Sequence, residues 1–236
     1  NYQKNFGNIR IGVCMATNDT VVLYFKLSDL GGSIKDGHKN LKAFKGTFDA
    51  LQRDMNKPTG KKTWIYKADN VRDFAFASSR KYIWDAMQID VEGKKVWAMS
   101  LYPKEGNPLW EKYSTYTVAH TLKSYSSHTF DYPYPKAISI NARDQGMEYP
   151  MICWNYGRPD ENGVTSDRIK HGMISVIVHE VGHNFFPMIV NSDERQWTWM
   201  DEGLNSFMQY MAEQELETNY PSNRGPAKNI VPYMSG

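Results

Sequence analysis

The chain of 236 residues has no long apolar run, and no window approaches the roughly 18 to 20 consecutive apolar residues that a membrane-spanning helix needs. That predicts a protein with no membrane insertion. It also lacks concentrated charge. Against 26 Asp+Glu stand 28 Lys+Arg, for a formal net charge of +2 with no basic run, which leaves no electrostatic footprint for nucleic acid or an anionic membrane surface. Cysteine is scarce: Cys14 and Cys153 could form at most one bridge, a count that fits a reducing or an oxidising location equally well. There is no internal repeat and no low-complexity tract. No charged-then-apolar leader pattern opens the chain, but it begins at Asn1 rather than Met, so this absence says nothing of compartment. What is present is an ordinary globular composition, 41% hydrophobic, 23% charged and 14% aromatic, enough to bury a core in one or two domains.

The character of the chain changes about a third of the way along. Ile9 to Met15, Val21 to Leu27 and Thr63 to Lys67 are β-branched or aromatic runs bounded by turn residues and read as strands. Between them Lys35 to Lys62 is polar, with a helix expected around Phe48 to Met55. Later segments mix the two periods. Lys95 to Tyr102, Ala137 to Asn141 and Met147 to Trp154 read as strands, and Pro108 to Tyr125 as a helix. A further helix is expected from Asp167 to Phe186, stopped by Pro187, and another from Asp201 to Leu216. The fold class is α+β, with a β-rich leading piece and a mixed second piece.

One motif stands above this background. His179-Glu180-Val181-Gly182-His183 is an HExxH sequence inside the expected helix, where 3.6 residues per turn stack the two histidines so that both can reach one metal ion. With six His and eleven Glu in the chain, random placement gives roughly 0.007 such matches. Ile174, Ile177, Val178, Val181 and Phe185 make one apolar stripe for the core, while Gly172 and Ser175 share the histidine side and leave space there. The plain alternative is two half-buried histidines bonded to backbone carbonyls, which the ordered pair with its glutamate disfavours. Zinc suits neutral imidazole and needs a third ligand. Glu202 follows His183 by 18 intervening residues. On its helix Leu204, Phe207, Met208 and Met211 form the apolar stripe and Glu202 projects opposite, so periodicity alone reads it as a solvated side chain.

HExxH, 18 residues, then Glu within Trp199-Met200-Asp201-Glu202-Gly203 resembles the aminopeptidase-N-like gluzincins. Gly146-Met147-Glu148-Tyr149-Pro150 is similar to that family's GxMEN motif, with Tyr149 in place of the usual Asn. Asn70 to Ser79 and Tyr132 to Pro135 also resemble it, so the likeness covers about Trp64 to Glu217. The resemblance implies one Zn2+ held by His179, His183 and Glu202, with Glu180 as general base and then acid. It implies that Glu148 binds the free α-ammonium of a peptide substrate and that Gly146 and Met147 line the substrate strand. It implies a remnant of a β-rich N-terminal domain over residues 1–80 and a thermolysin-like catalytic domain over residues 81–236, truncated at its C-terminus. The family's transition-state tyrosine would fall near position 262, since Tyr210, Tyr220 and Tyr233 are too close to match it. The expected activity is zinc-dependent hydrolysis of the N-terminal peptide bond of peptides, with little or no turnover from this piece alone. The alternatives are a zinc endopeptidase and a non-catalytic zinc- or peptide-binding module.

Overall fold

The computed structural model describes residues 9–16, 20–27, 62–77, 79, 81–142, 146–223 and 225. The helix expected around Phe48 to Met55, and Tyr233, lie outside the described residues. The chain divides into two compact units, Asn1–Phe74 with Ser78–Arg80, and Ala75–Ala77 with Lys81–Gly236. In the first, strands β1 (Ile9–Ala16), β2 (Thr20–Leu27) and β3 (Lys62–Asp69) form an antiparallel sheet in that order. Cys14 pairs with Val22 and Tyr24 with Ile65. These are the three expected strands, each slightly longer than its β-branched run.

The second unit holds a mixed five-stranded sheet in the order β4-β5-β6-β8-β7. Strands β4 (Tyr82–Val91) and β5 (Lys94–Pro103) form a hairpin. Its two-residue turn, Glu92 and Gly93, has positive φ at both positions, and Asp90 Oδ1 accepts from Gly93 N at 2.7 Å. Sequence reading does not find β4, because Glu-Gly is a weaker turn signal than Asn-Gly. Helix α1 (Leu109–His128) is the crossover that lets β6 (Lys136–Asn141) pair parallel to β5. Strands β7 (Met147–Tyr149) and β8 (Ile152–Asn155) are antiparallel, with β8 parallel to β6 and β7 at the sheet edge. One continuous strand over Met147 to Trp154 was the expectation. The chain instead reverses at Pro150-Met151, where Met151 takes φ 65°. That reversal puts Glu148 opposite Cys153 at the end of a row that runs Ser100, Ser139, Cys153, Glu148 across the sheet.

Helices α2 (Asp167–Gly182) and α3 (Leu204–Leu216) follow. Ser166 caps α2 by accepting from Ile169 N at 3.3 Å. The stripe Ile174, Ile177, Val178, Val181, Phe185 is buried as expected, joining Trp110, Leu122 and Tyr125 of α1. Phe185 stacks on Tyr125, Phe130 and Tyr132 with ring centroids 5.2 to 5.4 Å apart. The fold class is α+β. Among the described residues no helix is long and apolar enough to cross a membrane. Cys153 is a buried free thiol, and burial pushes its pKa up.

Candidate metal centre

Two departures from regular helix build the site. Helix α2 ends at Gly182 rather than at Phe186, and Asn184–Ile189 forms a wider π-helical turn with Phe186 outside helical φ/ψ. Met188 N donates to His183 O and Val190 N to Phe185 O, five residues back in each case. The Phe186 carbonyl is thereby turned toward His183, whose Nδ1 lies 2.8 Å from it. A second π turn, Trp199–Gly203, precedes α3 and carries Asp201 and Glu202.

Within this frame His179, His183 and Glu202 come together. The two Nε2 atoms are 3.1 Å apart, and Glu202 Oε2 lies 3.1 Å from His179 Nε2 and 3.8 Å from His183 Nε2. Four-coordinate zinc with ordinary bond lengths sets its ligand atoms about 3.4 Å apart. The three spacings bracket that value. Both Nδ1 atoms face acceptors: Gln209 Oε1 at 2.9 Å for His179, and Phe186 O together with Asp201 Oδ1 at 2.9 Å for His183. Protons held at Nδ1 leave both Nε2 lone pairs aimed at one point, the arrangement a metal-ligating histidine pair requires. The donor set therefore fits zinc.

The electrostatics point the same way. Glu148, Glu180, Asp201 and Glu202 surround the histidines, and Glu180 is buried, its Oε2 lacking a hydrogen-bond partner among the described residues. Burial pushes the Glu180 pKa up to about 8; Glu148, which also hydrogen-bonds it, and Glu202 add to this, and His183 opposes it. Burial disfavours charge on His183, but Asp201, Glu148 and Glu180 outweigh it and lift its pKa to about 9. A cation among these carboxylates would relieve both strains.

Glu148 sits half-buried on edge strand β7, against Glu180. A Cβ at Gly146 would strike the Glu180 carboxylate and come within 3.0 Å of Val176 Cγ2, so only glycine lets the strand pass this close. Met147 is largely exposed, and Tyr149 packs edge-on against Trp154 at 5.7 Å. Gly182, inside the motif, is equally constrained. A side chain there would collide with Tyr125 and Asn205, whose hydrogen bond (Tyr125 OH to Asn205 Oδ1, 2.8 Å) ties α1 to α3 across it.

Two expectations on the flanks need correcting. Leu204 and Phe207 do not face the core; Phe207 is 62% exposed, while Asn205, Met208, Gln209, Ala212 and Glu213 are buried. Helix α3 thus turns a polar face to α2, because that face carries the partners of His179. Nor is the space beside Ser175 open: its hydroxyl lies 3.0 Å from Tyr220 Oη, which donates to His171 O at 2.8 Å. Tyr220 is 3% exposed and committed to these bonds. Residues that sequence reading missed are Asn184, Asp201, Asn205 and Gln209. Asn184 Oδ1 accepts from Met151 N at 2.7 Å and Tyr132 Oη at 3.3 Å, fastening the β7–β8 hairpin to the motif helix. The available signal for two of them was spacing: Asn205 and Gln209 fall three and seven residues after Glu202, on its own helical face.

Comparison with known proteins gives the fold a precedent. No protein-family model and no curated protein matches the chain. Among solved structures, an M1 zinc metallopeptidase from Deinococcus radiodurans superposes with TM-score 0.50 and 15% identity, over 72% of this chain and 37% of that one. A mutant M1 zinc metallopeptidase from the same organism, bound to a Tyr-ser-ala substrate, gives TM-score 0.52 and 13% identity, over 80% of this chain and 40% of that one. Over the superposed part, the α+β fold is similar to that of these M1 zinc metallopeptidases. The chain spans 37% to 40% of the length of these two structures.

Proposed function

We propose that this chain carries the metal centre of a zinc-dependent aminopeptidase that removes the first residue of peptides with a free N-terminus. The observation that carries the reading is the convergence of His179 Nε2, His183 Nε2 and Glu202 Oε2 within 3.8 Å, each histidine held by an acceptor at Nδ1. Zinc, when bound, supplies a Lewis acid for the scissile carbonyl and brings the pKa of water toward neutrality. The chain's residues do the rest. Glu180, beside the first histidine and with one oxygen unpartnered among the described residues, takes the proton of the attacking water and delivers it to the leaving amine. Glu148, at the sheet edge, pairs with the α-ammonium and sets where the substrate begins. The backbone of Gly146 and Met147 lines the substrate strand.

The test is hydrolysis of an amino-acid amide reporter and its N-acetylated form, at equal zinc occupancy. Because the chain spans under half the length of the matched structures, it is assayed both alone and extended past Gly236. Turnover of the free amine alone is expected in the extended protein, and Glu148→Ala should cost it roughly 10²-fold or more, the worth of a desolvated ion pair. Equal turnover of both reporters would replace the reading with an endopeptidase. Zinc binding without turnover in either form would replace it with a binding module.

A further inference from the structure

Among the described residues His179 meets no carboxylate at its Nδ1. It meets two side-chain amides, Gln209 Oε1 at 2.9 Å and Asn205 Nδ2 at 3.3 Å. An amide is ambiguous where a carboxylate is not: its oxygen accepts, its nitrogen donates, and turning it over exchanges them. Which end of Gln209 faces the ring weights the tautomer, against Glu202 Oε2, which lies 3.1 Å from Nε2 and without a metal favours a proton there. With the oxygen presented, the ring proton sits on Nδ1 and Nε2 keeps the lone pair a metal needs. With the NH₂ presented, the proton moves to Nε2 and blocks it. Asn205 does not help, since its Nδ2 also donates to His179 O at 2.8 Å and its Oδ1 accepts from Tyr125. Its donor near Nδ1 favours the wrong tautomer.

Gln209 is held the right way round from behind. Its Nε2 donates to Glu213 Oε1 at 2.7 Å and to Ser175 O at 3.2 Å, both acceptors, so a turned amide would set its oxygen against two oxygens. Glu213 is 0% exposed, and among the described residues its Oε2 has no hydrogen-bond partner and no basic side chain pairs with it. Leaving one oxygen of a buried carboxyl group without a partner is costly. We infer that Glu213 is a positioning residue of the metal centre: acting through Gln209, it holds His179 as the Nδ1–H tautomer and keeps Nε2 open. The inference rests on the zinc reading of His179, His183 and Glu202, but one of its readouts needs no zinc.

That readout is the ¹⁵N chemical shifts of His179 in the metal-free chain, which report the protonated nitrogen; the second is zinc affinity by chelator competition. Glu213→Met should shift His179 toward Nε2–H and weaken zinc about tenfold, the scale of an outer-shell loss. In the exchange variant Gln209→Glu with Glu213→Gln, an acceptor-only group faces Nδ1, and zinc affinity should stay within about threefold of the unmodified chain. A residue with a merely structural role would lower stability in Glu213→Met and leave the tautomer alone. A folded Glu213→Met chain with unchanged tautomer and affinity overturns the inference. If that variant does not fold, a folded exchange variant with Nε2–H at His179 overturns it equally. Failure of the unmodified chain to bind zinc would refute the metal reading while the tautomer still tests Glu213.

Discussion

Helices α2 and α3 lie side by side and solve opposite problems. Helix α2 buries an apolar stripe and leaves its histidines on the adjoining side; α3 buries Asn205, Gln209 and Glu213 and leaves Phe207 and Leu204 in solvent. Hydrophobic periodicity describes the first correctly and the second only in part: Met208 is buried as expected, Leu204 and Phe207 are not. Periodicity reports which face could be buried, and burial is decided by what lies opposite. The sheet and α1 offer α2 an apolar surface. What α2 offers α3 is the His179 ring nitrogen, which needs a polar partner, and the His179 and Ser175 carbonyls, which each accept a further hydrogen bond from α3.

The sharpest way to break this comparison is to remove a proposed metal ligand from each helix's side. His183→Ala and Glu202→Ala should both lose zinc well beyond the ~10 to 100-fold that an outer-shell partner is worth, measured by metal content after dialysis. Retained zinc in the Glu202 variant would place all binding on α2. Next come the two apolar faces. Ile177→Ala, at a fully buried position, should cost about 2 to 5 kcal/mol in denaturant unfolding. Phe207→Ala should stay within about 0.5 kcal/mol. A large loss at Phe207 would show that its face is covered in solution. Gly182→Ala should cost about 1 to 3 kcal/mol, because a methyl group there must displace the Tyr125–Asn205 bond. Thermal unfolding checks it, and Val181→Ala supplies the packing control on the same turn.

The smallest effect is electrostatic. Glu215 on α3 is held by His128 at 2.5 Å and Ser124 at 2.6 Å on α1, and Glu217 by Lys170 and His171 of α2 at 3.0 and 3.4 Å. Burial opposes ionisation of Glu215, but these hydrogen bonds outweigh it; for Glu217 the Lys170 hydrogen bond dominates, and both carboxyls end below their usual pKa. A depressed folded pKa gives stability that is present above the unfolded value and lost as pH falls through the folded one. Unfolding midpoints should therefore decline below about pH 4.3. Glu215→Gln should flatten that decline slightly, since both pairs are solvent-screened. A decline already complete at pH 6 would assign it to other groups.

The HExxH spacing by itself determined that two imidazoles share one side of a helix, since 3.6 residues per turn leave no other choice. The stripe from Ile174 to Phe185 likewise announced which face of α2 is buried, and the β-branched runs announced the leading strands. The place of Glu202 beside the histidines was legible only through family resemblance; its helix pattern gave a solvated side chain, and the carboxylate is indeed half-exposed while lying 3.1 Å from His179. Tertiary structure decided the rest. Where α2 stops depends on a π turn that frees the Phe186 carbonyl for His183, and nothing in Asn184 to Ile189 apart from Pro187 signals it. That Met147 to Trp154 folds back at Met151 decides whether Glu148 reaches Glu180. The inward polar face of α3 follows from the polar groups its neighbour presents, the His179 ring above all. A residue's own chemistry and period are local and can be read along the chain; the partner that gives a polar side chain its purpose comes from a distant segment.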